Sequence, residues 1–212
     1  MAYNLEEQEQ IASLRAFWDK YGNFILTVVT VVLLAIAGWR GWGWYQARQA
    51  GQAAALYEQV RTAVEAKDTA RMKEASGALF ENFGGTVYGP MAALLVAKTH
   101  HEAGDLKAAK APLQWTIDKA RDAEFQHLAR VRLAGVLLDE KAYDEGLKLL
   151  SMESAGTFAG AYADRRGDLL LAQGKNDEAR AAYKLALEKL DERSALRRLV
   201  QVKVDALGGV GS

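Results

Sequence analysis

Residues 163–187 read ADRRGDLLLAQGKNDEARAAYKLAL, and this stretch decides the fold. Small and apolar side chains recur at helical spacing on both sides of Gly174, which can supply the turn between two helices. Gly167 and Ala179 stand where two antiparallel helices would cross closely, and Tyr183 can fill the space beside that crossing. The stretch therefore predicts a helical hairpin.

The spacing of these residues matches a tetratricopeptide repeat, which is a helix-turn-helix unit of about 34 residues. Two earlier stretches repeat the pattern less closely, with small crossing residues at Ala97 and Ala109 in the first and at Ala134 and Gly146 in the second. We interpret both stretches as further hairpins of one array.

The rest of the region also has helical periodicity and almost no strand signal. Residues 51–83 predict one more pair of helices, and residues 194–207 predict a closing helix that Ser194 can cap. Three or more stacked hairpins bury a continuous core, so about four predict a short solenoid. Breaks between helices are expected at Lys67-Asp68, Gly84-Gly85, Gly104-Asp105, Glu140-Lys141, 154–156, Gly174-Lys175 and 191–194.

A second decisive stretch precedes the array. Residues 21–39 read YGNFILTVVTVVLLAIAGW and carry no charge, which is close to the roughly 20 residues that cross a bilayer as a helix. Aromatic rings prefer the two membrane–water interfaces, and a basic side chain can snorkel to one of them. The candidate interface residues are Trp18, Tyr21, Trp39, Arg40, Trp42, Trp44 and Tyr45.

Two alternatives to a membrane anchor are a cleaved signal peptide and a buried helix of a soluble core. The region before the apolar stretch carries four acidic and two basic residues, whereas a signal peptide begins with a short basic region. We therefore expect an uncleaved anchor. Arg15 and Lys20 on one side balance Arg40 and Arg48 on the other, so the charges leave the orientation open.

Together the patterns predict an all-α chain in which a single transmembrane helix is followed by a tetratricopeptide-repeat-like α-solenoid of helical hairpins. The expected parts are an amphipathic amino-terminal segment over 1–20, the transmembrane helix with its aromatic flanks over 21–45, and the repeat domain over 46–212.

Composition excludes several classes of function. Three of the 27 basic residues and four of the 27 acidic residues precede Gln46, so the repeat region holds 24 against 23. A nucleic-acid-binding domain needs a basic excess to neutralise phosphates. The chain has no cysteine, which removes thiol redox chemistry and thiolate metal sites.

No pattern indicates catalysis. The adjacent His100 and His101 point about 100° apart on a helix and cannot both face one metal ion, and His127 is isolated. Asp164 and Asp168 share a helix face as catalytic carboxylates can, but charges at this spacing are routine on exposed helices. We predict a protein that is not an enzyme and that has no cofactor, metal or small-molecule substrate.

Repeat arrays bind partners mainly through the first helix of each hairpin. Aligning the three clearer hairpins predicts a mixed apolar and charged groove, which suits an extended or partly unfolded polypeptide, although some of its members can equally belong to the core. The expected groove residues are Leu94, Lys98, His101, Val131, Leu138, Asp164, Asp168 and Leu171.

Three stretches resemble one family over nearly the whole chain. They read LEEQEQIASLRAFWDKYGNFI at 5–25, HLARVRLAGVLLDEKAYDEGLKLL at 127–150 and FAGAYADRRGDLLLAQGKNDEARAAYKLAL at 158–187. The combination is similar to the YfgM family, the ancillary subunits of the bacterial SecYEG translocon.

The resemblance implies a single-pass protein of the bacterial inner membrane with a cytoplasmic amino terminus and a periplasmic repeat domain. It also implies protein partners, namely the SecYEG translocon and a PpiD-type chaperone, and a role in handing secreted chains to periplasmic chaperones. The family supplies no catalytic residues. The alternative is a membrane-tethered scaffold or signalling regulator that binds one folded partner through the repeat groove.

Overall fold

The computed structural model of the chain describes residues 5–208, and every regular element within that range is helical. The chain divides into two structural units after Gln49. Residues 1–4 of the expected amino-terminal segment and residues 209–212 of the expected repeat domain lie outside the described residues.

The first unit consists of one helix. Helix α1 runs over Leu5–Glu65, and its residues up to 49 belong to this unit. Only 6% of its most apolar window is buried, so the alternative of a buried core helix is wrong. From Trp18 to Trp39 a helix rises about 30 Å, which is close to the thickness of a bilayer's hydrocarbon core. In length and composition this helix can cross a membrane.

The second unit begins at Ala50 and is an array of helical hairpins. The end of α1 pairs with α2, α3 with α4, α5 with α6 and α7 with α8, and α9 closes the array on α8. This arrangement confirms the expected all-α fold of stacked hairpins. The helices are α2 (Thr69–Phe83), α3 (Tyr88–Glu102), α4 (Leu106–Lys119), α5 (Ala123–Asp139), α6 (Tyr143–Leu149), α7 (Ala159–Ala172), α8 (Asn176–Lys189) and α9 (Ala195–Ala206).

The four hairpin turns have the same backbone geometry. One residue of each turn is left-handed: Lys67 (φ 55°), Gly104 (φ 78°), Lys141 (φ 63°) and Gly174 (φ 78°). In each turn the amide of the following residue donates to the carbonyl five positions earlier, at N···O distances of 2.8 to 3.0 Å. These bonds satisfy carbonyls at the helix end that would otherwise lack a donor.

Small residues lie at the crossings, as the repeat pattern predicts. Ala97, Ala109, Ala134 and Ala179 are all buried. A Cβ atom on Gly167 would lie 2.4 Å from a ring carbon of Tyr183, so α7 and α8 can approach this closely only because Gly167 has no side chain.

One break between helices is not predicted by the sequence pattern. Helix α4 ends at Lys119 and α5 begins at Ala123, with no glycine between them. The carboxylate of Asp122 accepts a hydrogen bond from the Glu124 amide at 2.8 Å and so caps α5. The side chain of Gln126 donates to the Ala120 carbonyl at 2.7 Å. These local bonds form the break without the left-handed residue that the hairpin turns have.

Candidate protein-binding cleft

The first helices of three successive hairpins, α3, α5 and α7, border an open cleft of about 410 Å³. We call it the α3–α5–α7 cleft. Its lining combines small or apolar side chains with charged ones, and the residues are Ala97, Lys98, His101, Glu102, Leu113, Arg132, Gly135, Val136, Asp139 and Arg165.

Two pairs of polar side chains contact each other at the edge of the cleft. Lys98 Nζ lies 3.6 Å from Glu102 Oε1 on the same helix. His101 Nε2 lies 2.6 Å from Asp139 Oδ2 and so joins α3 to α5. Both pairs are largely exposed, so each adds little to the stability of the fold.

Arg132 is a cation with no counter-charge among the residues that the structure describes. Its Nη1 donates to the Leu94 carbonyl at 3.3 Å, and none of the described residues forms an ion pair with it. A guanidinium that carries five donors and uses one of them retains donors for a carboxylate or a peptide carbonyl from another molecule. Arg132 is therefore the side chain of the cleft that is best prepared to bind an acceptor.

Gly135 lies near this cation on α5, and a second arginine packs over its backbone. A Cβ atom built on Gly135 would lie 3.6 Å from Cζ of Arg165, so the guanidinium of Arg165 packs directly over the glycine. Arg165 Nη1 is 3.2 Å from Asp168 Oδ2, and its buried Nε has no hydrogen-bond partner among the described residues. The cleft thus offers apolar surface beside the unused donors of Arg132, which is a combination suited to a polypeptide segment.

Of the predicted groove residues, Lys98 and His101 line the cleft. Leu94 does not, because it is only 6% exposed and belongs to the core shared by α3, α4 and α5. Val131 and Leu138 are partly buried against the core between α5 and α7. All three therefore contact the core, which the sequence pattern left open as the alternative to a groove position. Leu171 is exposed on α7 but does not line the cleft.

The predicted acidic pair is also placed elsewhere. Nζ of Lys203, from the closing helix α9, lies 2.6 Å from Asp164 Oδ1 and 2.7 Å from Asp168 Oδ1. The hydroxyl of Tyr183 donates to Asp168 Oδ1 at 2.8 Å. The two carboxylates therefore hold α7, α8 and α9 together and are not free groove residues.

Burial controls the ionisation of this cluster. It raises the pKa of Asp164 above its ordinary value, while the hydrogen bond from Lys203 acts in the opposite direction. The pKa of the Tyr183 hydroxyl is raised by burial and, next, by the charge of Asp168. The tyrosine remains a neutral donor, as its bond to a carboxylate requires.

The sequence pattern missed the cleft residues of α5 and α7, namely Arg132, Gly135, Asp139 and Arg165. The first three recur at i, i+3 and i+7, so they share one face of α5. That face lies one residue around from the face that carries Val131 and Leu138. The available signal was the spacing itself, since Arg132, Gly135 and Asp139 interrupt an otherwise apolar stretch along one helix face.

Another cleft, of about 520 Å³, lies between the end of α1 and α2. Its lining includes Glu58, Thr62, Arg71 and Glu74, and none of the predicted groove residues. Glu58 is already paired with Arg61 at 2.9 Å.

In the first unit, the six aromatic residues expected at the membrane interfaces are all between 41% and 79% exposed. The rings of Trp42 and Tyr45 lie 5.9 Å apart, and the Arg48 guanidinium lies 5.6 Å from the Trp44 ring. Arg40 is exposed as well. These side chains are free to contact lipid headgroups.

Comparison with known proteins places this architecture among its relatives. The sequence model of the family described as "Tetratricopeptide repeat-like domain" matches residues 15–209. A protein of Neisseria gonorrhoeae named "Ancillary SecYEG translocon subunit" is 32% identical over 211 residues, which cover 98% of this chain and 100% of the relative. A protein of the same name from Escherichia coli K12 is 29% identical, over 95% and 96% of the two chains. One from Haemophilus influenzae is 27% identical, over 94% and 98%.

Proposed function

The chain belongs to the YfgM family of ancillary SecYEG translocon subunits, with their tetratricopeptide-repeat-like domain, and from that premise we propose that it is a membrane-anchored module that binds polypeptides beside the SecYEG translocon. Its role is then to assist the handover of secreted chains to periplasmic chaperones. The observation that carries the proposal is the α3–α5–α7 cleft, where Arg132 retains unused hydrogen-bond donors beside apolar surface.

The proposed binding mode is weak and repeated. An open cleft with one uncompensated guanidinium and a short apolar floor can bind many sequences loosely, because a peptide supplies a carbonyl at every residue. A membrane anchor restricts the domain to the bilayer surface, where the effective concentration of a nearby partner reaches the millimolar range. Weak contacts are sufficient at such concentrations.

The proposed topology places the amino terminus in the cytoplasm and the repeat domain in the periplasm, with the aromatic residues and Arg40 at the two membrane interfaces. Because the chain has no cysteine, the topology can be tested with Gln8→Cys and Lys184→Cys variants, both at exposed positions. A membrane-impermeant maleimide added to spheroplasts should label only Lys184→Cys. Labelling of Gln8→Cys alone would reverse the topology.

Photocrosslinking in the cleft tests the function. A photoreactive amino acid at Lys98 or Gly135 of the full chain in its membrane should capture secretory chains in transit or translocon subunits. A probe at Val87, which is 52% exposed and lies outside the cleft, is the control. Capture of a single folded regulator from the cleft would instead support the scaffold alternative.

An arginine variant sharpens this test. Arg132→Ala should reduce capture by a probe at Lys98 about tenfold, as expected for loss of an interface arginine. Arg193→Ala removes an exposed arginine outside the cleft and should leave capture unchanged. Equal capture by both variants would argue against the cleft as the binding site.

The proposed chaperone partner is of the PpiD type. Purification of the full chain in mild detergent should recover translocon subunits together with such a membrane-anchored chaperone. Recovery of the translocon without the chaperone would support the location and contradict the handover.

A further inference from the structure

Helix α9 has two apolar faces, and only one of them is covered. Val200 and Val204 pack into the core formed with α7 and α8. On another face, Leu199 is 62% exposed and Val202 is 66% exposed. With two flanking alanines they form a stripe at alternating spacings of four, three and four residues, consisting of Ala195, Leu199, Val202 and Ala206.

The stripe lies on the last described helix of the repeat array. Each earlier hairpin is covered by the next one along the chain, and terminal repeats usually present a polar outer surface to water. Spacings of four and three residues are those of a helix that packs along another helix. Among the described residues, nothing covers Leu199 and Val202.

The charges beside the stripe indicate what can cover it. Arg198 and Asp205 lie seven residues apart along the same edge of the stripe. Asp205 accepts a hydrogen bond from Gln201 at 2.9 Å, and Arg198 forms no ion pair with any described residue. In an antiparallel pair of identical α9 helices, the two-fold axis places Leu199 opposite Val202 of the second copy. About the same axis, Arg198 lies on the same side of the pair as Asp205 of the second copy and about two residues (roughly 3 Å) from it along the helix, an offset that the long arginine side chain can span; the symmetry makes this contact twice.

We infer that two copies of this chain associate through α9, with the helices antiparallel about a two-fold axis. The apolar stripe supplies the contact and the Arg198–Asp205 pairs select the orientation, because only an antiparallel pair brings the same charged edge of both helices to one side; in a parallel pair the two edges lie on opposite sides and the charges do not meet. A single pair of 12-residue helices makes a small interface, so the association is weak and depends on concentration at the membrane. This inference is independent of the proposed function.

Disulfide trapping tests the pairing in the full chain, in its membrane. Copies carrying Leu199→Cys and Val202→Cys, with different affinity tags, are produced together and oxidised with copper phenanthroline. Since the chain has no other cysteine, the mixed dimer should form about fivefold more than a homodimer of Val87→Cys, an equally accessible control. A mixed yield no higher than this control would overturn the inference, and so would a yield below those of the two like-with-like dimers.

Charge reversal gives a second readout that does not depend on packing. Arg198→Asp and Asp205→Arg should each lower the trapped fraction several-fold, and the double variant should restore it, because the pairs are then re-formed with opposite polarity. All three variants alter exposed positions, so they should keep the parent's melting temperature. Failure of the double variant to recover the trapped fraction would contradict the antiparallel pairing.

Discussion

The hairpins α5–α6 and α7–α8 each have a glycine at a close helix contact, but the two glycines lie on different helices of the hairpin and face different neighbours. In α7–α8 the glycine is on the first helix, and a Cβ atom on Gly167 would collide with Tyr183 of the same hairpin. In α5–α6 the glycine is on the second helix, and a Cβ atom on Gly146 would lie 2.9 Å from a methyl carbon of Leu169, which belongs to the next hairpin.

The difference shows that a small residue in this array can serve two separate contacts. Gly167 permits packing within a hairpin, and Gly146 permits packing between hairpins. The repeat pattern alone assigns both to the crossing inside one unit. Only the three-dimensional structure shows which side chain packs against each glycine. The rigidity of that side chain decides how much stability a larger residue at the glycine position would cost.

The largest effect should come from the contact within a hairpin. Gly167→Ala places a methyl group against an aromatic ring that is fully buried and cannot move aside, so we expect a loss of about 3 kcal/mol of stability. Thermal unfolding of the full chain in detergent, followed by circular dichroism, should show a decrease in melting temperature of roughly 10 °C.

Gly77→Ala in α2 is the matched control, because a Cβ atom there meets nothing within 4 Å. Helix propensity alone should then stabilise this variant by about 0.5 to 1 kcal/mol. If Gly167→Ala melted no lower than the Gly77→Ala control, the contact with Tyr183 would not limit the approach of α7 and α8.

The contact between hairpins should cost less. Gly146→Ala meets the terminal methyl carbons of Leu169, at 2.9 and 3.0 Å, rather than a rigid aromatic ring, so we expect a loss of about 1 kcal/mol. Combined with Leu169→Val, the total loss should be smaller than the sum of the two single losses, because valine lacks the interfering methyl group. Additive losses in urea unfolding would show that Gly146 and Leu169 do not compete for space.

Substitutions in two of the turns should have smaller effects on stability, and of opposite sign. Gly174→Ala forces a Cβ atom into a left-handed conformation and should cost about 1 kcal/mol. Lys141→Gly relieves the same conformation in α5–α6 and should stabilise the domain by about 0.5 to 1 kcal/mol. Shifts of the same sign in urea unfolding would contradict the shared turn geometry.

The smallest effect concerns a histidine between the two hairpins. His127 Nδ1 lies 2.8 Å from the hydroxyl of Tyr162, and the Phe158 ring stacks on it. Burial, followed by the positive charge of Arg130, lowers the pKa of His127 from its ordinary value of 6.5. The unfolded chain therefore takes up this proton at higher pH than the folded chain does.

The direction of the pH dependence follows from the order of the two pKa values of His127. The stability contributed by neutral His127 is present above pH 6.5 and is lost as the pH falls through the lower, folded pKa. Between pH 7 and pH 5 the parent should lose more stability than a His127→Gln variant, which cannot take up a proton there. Equal losses in parallel urea titrations would assign the pH dependence to other groups.

Much of the fold could be predicted from local signals. All four hairpin turns could be placed from the sequence, at Gly104, at Gly174 and at the breaks Lys67-Asp68 and Glu140-Lys141. A helix commonly ends in a left-handed residue, so the turn position is marked locally. The break before α5 has no such residue and depends on the Asp122 cap and the Gln126 side chain, which strong helix formers conceal.

The cleft was less accessible to prediction for a different reason. A shift of one residue turns a helix face by about 100°, which separates the half-buried Val131 from the cleft residue Arg132. Asp164 and Asp168 looked available because their partner Lys203 is 39 and 35 positions away, and no local pattern connects them. Long-range contacts of this kind appear only in the folded chain.

Helix α6 has only seven residues, and a side chain from the next hairpin supports its carboxyl end. The guanidinium of Arg166 donates to the carbonyls of Leu147 and Leu150, at 3.1 and 3.3 Å, where α6 gives way to irregular chain. Amide hydrogens in α6 should therefore exchange with solvent deuterium as soon as α7 separates, even while α5 stays folded. The array then opens first at the contact between α6 and α7, and cleavage by a protease between residues 151 and 158 would report the same event.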